Sequence, residues 1–246
     1  YDLSGPEALP YGEVAATLSE VLGKPVLLEG PPGVGKTEIG KLWAAVHGAE
    51  LIRLQCYEGL DESRALYEWA YGKQMLYTQL LRDKTADLLA GAVDLADGVR
   101  RLGAQADAFF SREFLLERPL LRAVTARGPV VLLVDVIDRA VEEFEAFLLE
   151  LLSDFQVSVP ELGTIRAAKP PRVVLTSNDT RDHADALRRL CLYLHVDYPS
   201  PEDELRIVER RVPGLARDLA ERIVGFVQGV RKAGLRKQPG LAETEV

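Results

Sequence analysis

Residues Gly30-Pro31-Pro32-Gly33-Val34-Gly35-Lys36-Thr37 decide the fold of this chain. They follow the apolar run Val26-Leu27-Leu28 and precede Glu38-Ile39-Gly40-Lys41-Leu42-Trp43-Ala44-Ala45, which reads as a helix. A strand, a G-x-x-x-x-G-K-[ST] loop and a helix, in that order, make a phosphate-binding P-loop. The glycines let backbone N–H groups converge on phosphate oxygens with no Cβ in the way. The Lys36 ammonium reaches the β- and γ-phosphates, and the Thr37 hydroxyl can ligate Mg²⁺. The new helix brings the positive end of its dipole up behind the anion. A chance Gly/Pro turn is the competing reading, and a full motif match in the right structural context outweighs it. The whole loop, with Pro31, Pro32 and Val34 as part of its backbone cradle, is therefore expected to hold a nucleotide.

The chain has 246 residues, 47% hydrophobic and 28% charged, which suits one large domain or two modest ones. Its net charge of −8 works against general nucleic-acid binding, because phosphates repel it, so no nucleic-acid partner is expected. A local basic channel stays compatible with that balance. Cys56 and Cys191 lie far apart in apolar surroundings and read as two reduced core thiols of a cytoplasmic protein. His47, His183 and His195 are unclustered and offer no metal-ligand spacing. No apolar run approaches the roughly 18 residues of a membrane span, so neither a span nor a signal peptide is expected. The chain starts at Tyr1 and stops at Val246 just after an apparent helix start, so truncation at both ends is expected.

Outward from the loop, Val14, Leu18, Val21 and Leu22 form one side of an amphipathic helix before the first strand, Pro25–Glu29. Ala49–Cys56 reads as a second strand. Asp61–Lys73 looks helical, 74–102 is rich in Leu, Ala and charges, and Phe109–Val124 reads as further helix. Pro129-Val130-Val131-Leu132-Leu133-Val134-Asp135 is a continuous apolar run, as a parallel strand buried on both faces requires. Phe144, Phe147, Leu148, Leu151 and Leu152 then share one helix face. Two short β-prone pieces around Pro160-Glu161-Leu162-Gly163 predict a hairpin. Arg172–Asn178 and Cys191–Val196 are the last strands. Ser200 as N-cap, Pro201 at the first helical position and Asp203 three residues on mark a boundary. Two helices follow, with Leu215, Leu219, Ile223, Phe226 and Val230 as the expected buried stripe of the second. The pattern predicts an α/β domain over residues 1–199 with a central parallel sheet, and a partial helical lid over residues 200–246.

A buried strand ending in an acid suits the other half of a P-loop site: Asp135 would hold Mg²⁺, usually through water, opposite Thr37. Asn178 ends the next strand at the same carboxyl edge, where open α/β sheets collect ligands. It either orients a water or the γ-phosphate, or simply caps a strand-end turn.

With these residues in order, the chain resembles the MoxR-type AAA+ ATPases over nearly its whole length. The likeness rests on Gly30–Thr37, Leu132–Ala140, the Val157–Ala167 hairpin, Leu175–Asn178 and Ala186–Cys191. Glu142–Gln156 with Pro160–Thr164 is similar to the CoxD-like branch. The resemblance implies ATP and Mg²⁺ as ligands, with Lys36 on phosphate, Thr37 and Asp135 on the metal, and Asn178 as the sensor 1 residue. It implies a pre-sensor 1 hairpin at Val157–Ala167, which projects toward a ring pore, and a helix-2 insert around Asp61–Leu102. It further implies a homo-oligomeric ring, most often a hexamer, and a von Willebrand factor A-domain partner. Its activity would be ATP hydrolysis coupled to a remodelling or maturation chaperone role. The CoxD-like client would be carbon monoxide dehydrogenase, a metalloenzyme whose centre must be assembled.

Two positions depart from the family pattern. Val136 stands where the family carries the Glu that polarises the attacking water, and valine offers no proton acceptor. Asp138 and Glu142 are close in sequence, but the helix start between them is expected to aim them elsewhere. Leu190 stands where an arginine finger is usual; either Arg189 serves from a shifted register, or Arg188 and Arg189 are surface charges. Arg231, Arg236 and Lys237 are the candidates for a sensor 2 cation. Weakened hydrolysis is therefore expected, and the alternative function is a nucleotide-gated binding subunit with little turnover.

Overall fold

The computed structural model describes residues 23–80, 93–98, 100, 111–160, 162–181, 183–233 and 239–240. In chain order its elements are β1 (Val26–Glu29), α1 (Lys36–Val46), β2 (Glu50–Gln55), α2 (Glu62–Leu66), β3 (Tyr67–Trp69) and α3 (Tyr71–Leu80). Then come β4 (Leu115–Glu117), α4 (Pro119–Thr125), β5 (Val130–Asp135), α5 (Glu142–Asp154), β6 (Gln156–Val159) and β7 (Gly163–Arg166). The last are β8 (Arg172–Ser177), α6 (Asp185–Leu190), β9 (Leu192–His195), α7 (Pro201–Arg211) and α8 (Arg217–Lys232).

Five strands pair in parallel in the order β2-β5-β8-β1-β9. The continuous apolar runs end up here because helices cover both faces. Trp43 and Ala44 of α1 pack on Val26, Leu28, Val131, Leu133 and Val174. On the opposite face, Leu120 and Leu121 of α4 and Phe144, Leu148 and Leu151 of α5 join Leu27, Leu132, Val134, Val173 and Leu175. Alternation along each strand thus assigns odd and even positions to different layers. The loop after β1 leaves the middle of the sheet, with the ends of β5 and β8 beside it. This is the P-loop AAA+ arrangement.

The expected hairpin forms from β6 and β7, with Val157 opposite Ile165 facing inward and Ser158 opposite Thr164 facing out. The expected helix over Asp61–Lys73 is corrected. Asp61 does cap α2 by accepting from the Arg64 N–H, yet the helix stops at Leu66. Tyr67-Glu68-Trp69 turns extended and pairs antiparallel with Leu115-Leu116-Glu117, burying Trp69 against the core. Cross-strand packing of aromatic residues overrides the local helical pattern. For the same reason the second expected helix, Phe109–Val124, begins only at Pro119, which occupies its first turn. The amphipathic segment Val14–Leu22 and most of 81–110 lie outside the described residues.

Helix α7 starts as expected: the Ser200 hydroxyl accepts from the Asp203 N–H at 3.1 Å and donates to the Asp203 carboxylate at 2.6 Å. The stripe expected for α8 holds only in part: Leu215, just before the helix, packs on the cluster around Val208, but the rest of the stripe is not the buried face. Ala220, Val224, Val227 and Arg231 are the buried positions, whereas Leu219 is 44% and Phe226 73% exposed. The helix carries two apolar stripes of equal period, and periodicity cannot rank them. Packing of Ala220 and Val224 on Val208, with a buried Arg231–Glu204 pair, sets the rotation.

Candidate functional site

The loop between β1 and α1 is shaped by close backbone approach. At Gly30 a Cβ would sit 2.0 Å from the Val196 carbonyl oxygen, with φ at +152°, so only glycine fits beside the exit of β9. Gly35 precedes α1 in a left-handed conformation, and no side chain caps that helix. With no side chain in that place, the start of α1 is open to an anion held by the loop.

Lys36 is only 5% exposed and folds back onto its own loop, donating to the carbonyls of Gly30 at 2.7 Å and Pro31 at 2.6 Å. Burial lowers its pKa to about 8, an effect that the nearby Asp138, Asp135 and Glu29 carboxylates oppose. The ammonium is thus desolvated and held by groups it can leave when a stronger anion enters.

Thr37, Asp135, Thr176 and Arg53 meet on the α1 face of the sheet edge. The Thr37 hydroxyl donates to Asp135 Oδ1 at 3.0 Å, and Thr176 donates to the same oxygen at 2.6 Å. Arg53 donates to Asp135 Oδ2 through Nε at 3.1 Å and also through Nη2, which additionally binds Gln55 Oε1 at 2.6 Å. The parallel register explains the cluster: Gln55 lies opposite Asp135, so Arg53, two residues earlier, shares its face. Because Thr37 spends its proton on Asp135, its lone pairs stay available to a cation. Among the described residues no group of three His, Cys, Asp or Glu could hold a metal. The Thr37 hydroxyl and the Asp135 carboxylate, completed by waters and nucleotide phosphates, are a ligand set that suits Mg²⁺.

Val136, where the family's catalytic Glu is expected, adopts φ 59° and ψ 55°. That left-handed conformation is strained for a β-branched residue. It turns the chain sharply into a 3₁₀ turn, Ile137–Arg139, while the Val136 N–H donates to the Thr176 hydroxyl at 2.9 Å. Asp138, an acid close by in sequence, is engaged elsewhere. It is buried, accepts from the Asn178 N–H at 3.2 Å and from the Thr180 hydroxyl, and so braces the loop after β8. Asn178 lies half-buried at the end of β8, at the same edge as Asp135. Arg189 is exposed on α6, while Leu190 packs against the core.

A second polar cluster occupies the other face of the same edge. His183 bridges Ser177 Oγ at 2.8 Å and Glu145 Oε1 at 2.9 Å, and Arg181 pairs with that carboxylate. Burial would raise the Glu145 pKa, but hydrogen bonds from His183 and the Ala184 N–H, with the Arg181 charge, hold it below the ordinary value. The Ser-His-Glu order copies a hydrolase triad, yet Ser177 is wholly buried, so no substrate reaches it. The cluster ties β8 and α5 to Arg181, His183 and Ala184. Glu29, the last residue of β1, joins it: its Oε1 accepts from Tyr193 at 2.9 Å, and Arg188 stands 3.6 Å away. Sequence reading misses Arg53, Thr176, Glu29 and this triad. The available signal is polar residues ending otherwise apolar strands. Cys56 and Cys191 are buried, and burial pushes both thiols up to about 12, so neither is a reactive thiolate.

The helical C-terminal part touches the loop. Tyr198 Oη donates to the Pro32 carbonyl at 3.4 Å, and a Cβ on Gly33 would meet Gly240 Cα at 2.6 Å. Arg231 is not a free sensor cation: both terminal nitrogens bind Glu204 at 2.7 Å, Nε donates to Pro239 O, and the guanidinium stacks on Tyr198. Arg236 and Lys237 lie outside the described residues. No helix among the described residues is long and apolar enough to cross a membrane.

Residues 25–191 match a family model described as AAA domain (dynein-related subfamily). Among solved structures, the fold is similar to a protein of Cytophaga hutchinsonii provisionally described as an ATPase, at 17% identity and a TM-score of 0.53, covering 91% of this chain and 59% of that one. It is also similar to a variant of Thermotoga maritima RuvB, at 14% identity and a TM-score of 0.51, covering 99% of this chain and 69% of that one. These likenesses concern the fold alone. None of the curated proteins matches the sequence.

Proposed function

Because this chain belongs to the AAA domain family, dynein-related subfamily, we propose that it binds ATP with Mg²⁺ at Gly30–Thr37 and couples the nucleotide to remodelling of another protein. The observation that carries the reading is the Thr37 hydroxyl 3.0 Å from the Asp135 carboxylate, beside the desolvated Lys36 ammonium. Lys36 would neutralise the β- and γ-phosphates, the glycine-rich backbone would cradle them, and Thr37 and Asp135 would hold the metal directly and through water. Bound Mg²⁺ supplies charge neutralisation of the phosphates. Asn178 acts as the sensor at the γ-phosphate edge, and Arg189, exposed on α6, as the finger offered to a neighbouring subunit.

The finer assignment is a MoxR-type chaperone of the CoxD-like branch. It works as a cytoplasmic homo-oligomeric ring, hexameric by preference, with a von Willebrand factor A-domain partner. Its client is a metalloenzyme of the carbon monoxide dehydrogenase kind. The motif order and the β6–β7 hairpin support it. In this reading residues 1–199 form the nucleotide domain and 200–246 a partial lid.

A second reading has its own support. Val136 offers no general base, the Asp138 carboxylate is engaged with Asn178 and Thr180, and Leu190 turns toward the core. These favour a subunit that binds ATP, assembles and holds its partner with little turnover. Titration with ATP tests the common core of both readings. Lys36→Ala is expected to abolish binding, and tight ATP binding by that variant refutes the P-loop assignment. Turnover at rates typical of AAA+ proteins by the unmodified chain would refute the second reading.

A further inference from the structure

We propose that Arg53 is a resident cation on the metal-facing acid, which Mg²⁺ must displace, so that this arginine sets the magnesium requirement of nucleotide binding. The inference rests on the nucleotide reading above and concerns how that site is gated.

The Asp135 carboxylate is fully subscribed. Oδ1 takes the Thr37 and Thr176 hydroxyls, and Oδ2 takes two N–H groups of Arg53. The Thr37 contact survives metal binding, because a hydroxyl can donate to a carboxylate while its lone pair faces a cation. The Arg53 contact does not. A metal-bound water at Asp135 needs a lone pair on Oδ2, and a dication would stand against a guanidinium that never deprotonates. Exposure tells which partner moves. The Asp135 side chain is 2% exposed and fixed at the strand end, whereas that of Arg53 is 46% exposed on the rim of β2. The arginine can therefore swing into solvent without opening the core. Gln55, bound to the guanidinium through Oε1, is the latch that holds it inward. Nucleotide without metal needs no such rearrangement, since in the reading above its phosphates are held by Lys36 and the loop backbone rather than by Asp135.

An Arg53 that instead positions the Asp135 carboxylate for the metal makes the opposite prediction, because removing it would then weaken the site or leave it unchanged. Isothermal titration with ATPγS, once in excess MgCl₂ and once in EDTA, separates the two. For Arg53→Gln the dissociation constant in Mg²⁺ is expected to tighten about fivefold, the scale of a partly exposed ion pair, while that in EDTA does not tighten. Gln55→Leu keeps the charge but releases the latch, and should move the Mg²⁺ value in the same direction by about half that factor. It also decides the question if Arg53→Gln fails to fold, as judged by circular dichroism. An unchanged or weaker affinity for ATPγS in Mg²⁺ in the folded variants overturns the role of Arg53 while the nucleotide reading stands. Absence of ATPγS binding to the unmodified chain in either condition overturns both.

Discussion

Nucleotide affinity should fall as pH rises through 8, and Lys36 supplies both the cause and the size of the effect. Its ammonium is buried against Gly30 and Pro31, and that burial brings its pKa to about 8 from 10.5. With that value the group is about nine-tenths protonated at pH 7 and about one-tenth at pH 9. If only the charged form grips phosphate, the dissociation constant scales with 1 + 10^(pH − pKa). It should therefore weaken about tenfold between pH 7 and 9, and about thirtyfold by pH 9.5. A lysine at its ordinary value would leave affinity nearly flat over that span. Bound polyphosphate restores the charge, so binding at pH 9 should take up close to one proton and binding at pH 7 almost none. Calorimetry in two buffers of different ionisation heat measures both quantities. The stability of the nucleotide-free protein carries the opposite sign. The folded pKa lies below the unfolded one, so the unfolded chain holds more protons between pH 8 and 10.5, and this group's contribution to stability rises with pH there. Weakened binding therefore cannot be credited to alkaline unfolding by Lys36. Constant affinity to pH 9.5 with no proton uptake would refute the desolvated-lysine argument.

Val136→Glu restores an acid at the end of β5 and replaces a β-branched side chain at a left-handed position, φ 59°. ATP turnover, followed by phosphate release, should rise by about 10²–10⁴-fold, with no loss of melting temperature; an unchanged rate means that the missing acid does not limit hydrolysis. Glu204→Gln leaves Arg231, 7% exposed, without its counter-charge. It should cost about 3–5 kcal/mol, concentrated in α7 and α8, and hydrogen exchange in those helices is the readout; unchanged protection there would show that the pair does not hold the two helices together.

The P-loop, the five core strands, the β6–β7 hairpin and the Ser200 cap are legible because each is written in local chemistry. Glycines with a following Lys-Thr, unbroken apolar runs, and a Ser-Pro-x-Asp start impose their structures over a few residues. Thr37 and Asp135 can be named as partners from the same logic, since both stand at the carboxyl edge of adjacent layers. Local reading fails where distant segments compete. Tyr67–Trp69 is a strand because a segment nearly fifty residues away offers a pairing edge. The buried stripe of α8 is chosen by Val208 and Glu204 on α7, a choice invisible to a pattern with two equal apolar faces.

Local sequence alone commits this chain to a P-loop α/β protein with its glycine-rich loop between β1 and α1, because strand, loop motif and helix are written in consecutive residues. The electrostatic state of that loop belongs to packing. Lys36 loses its solvent to the packed loop, Asp135 receives Arg53 from another strand, and Asp138 is engaged with the turn after β8. The two aspartate contacts join residues dozens of positions apart through sheet register, and register is settled by burial of whole strand faces rather than by any local motif.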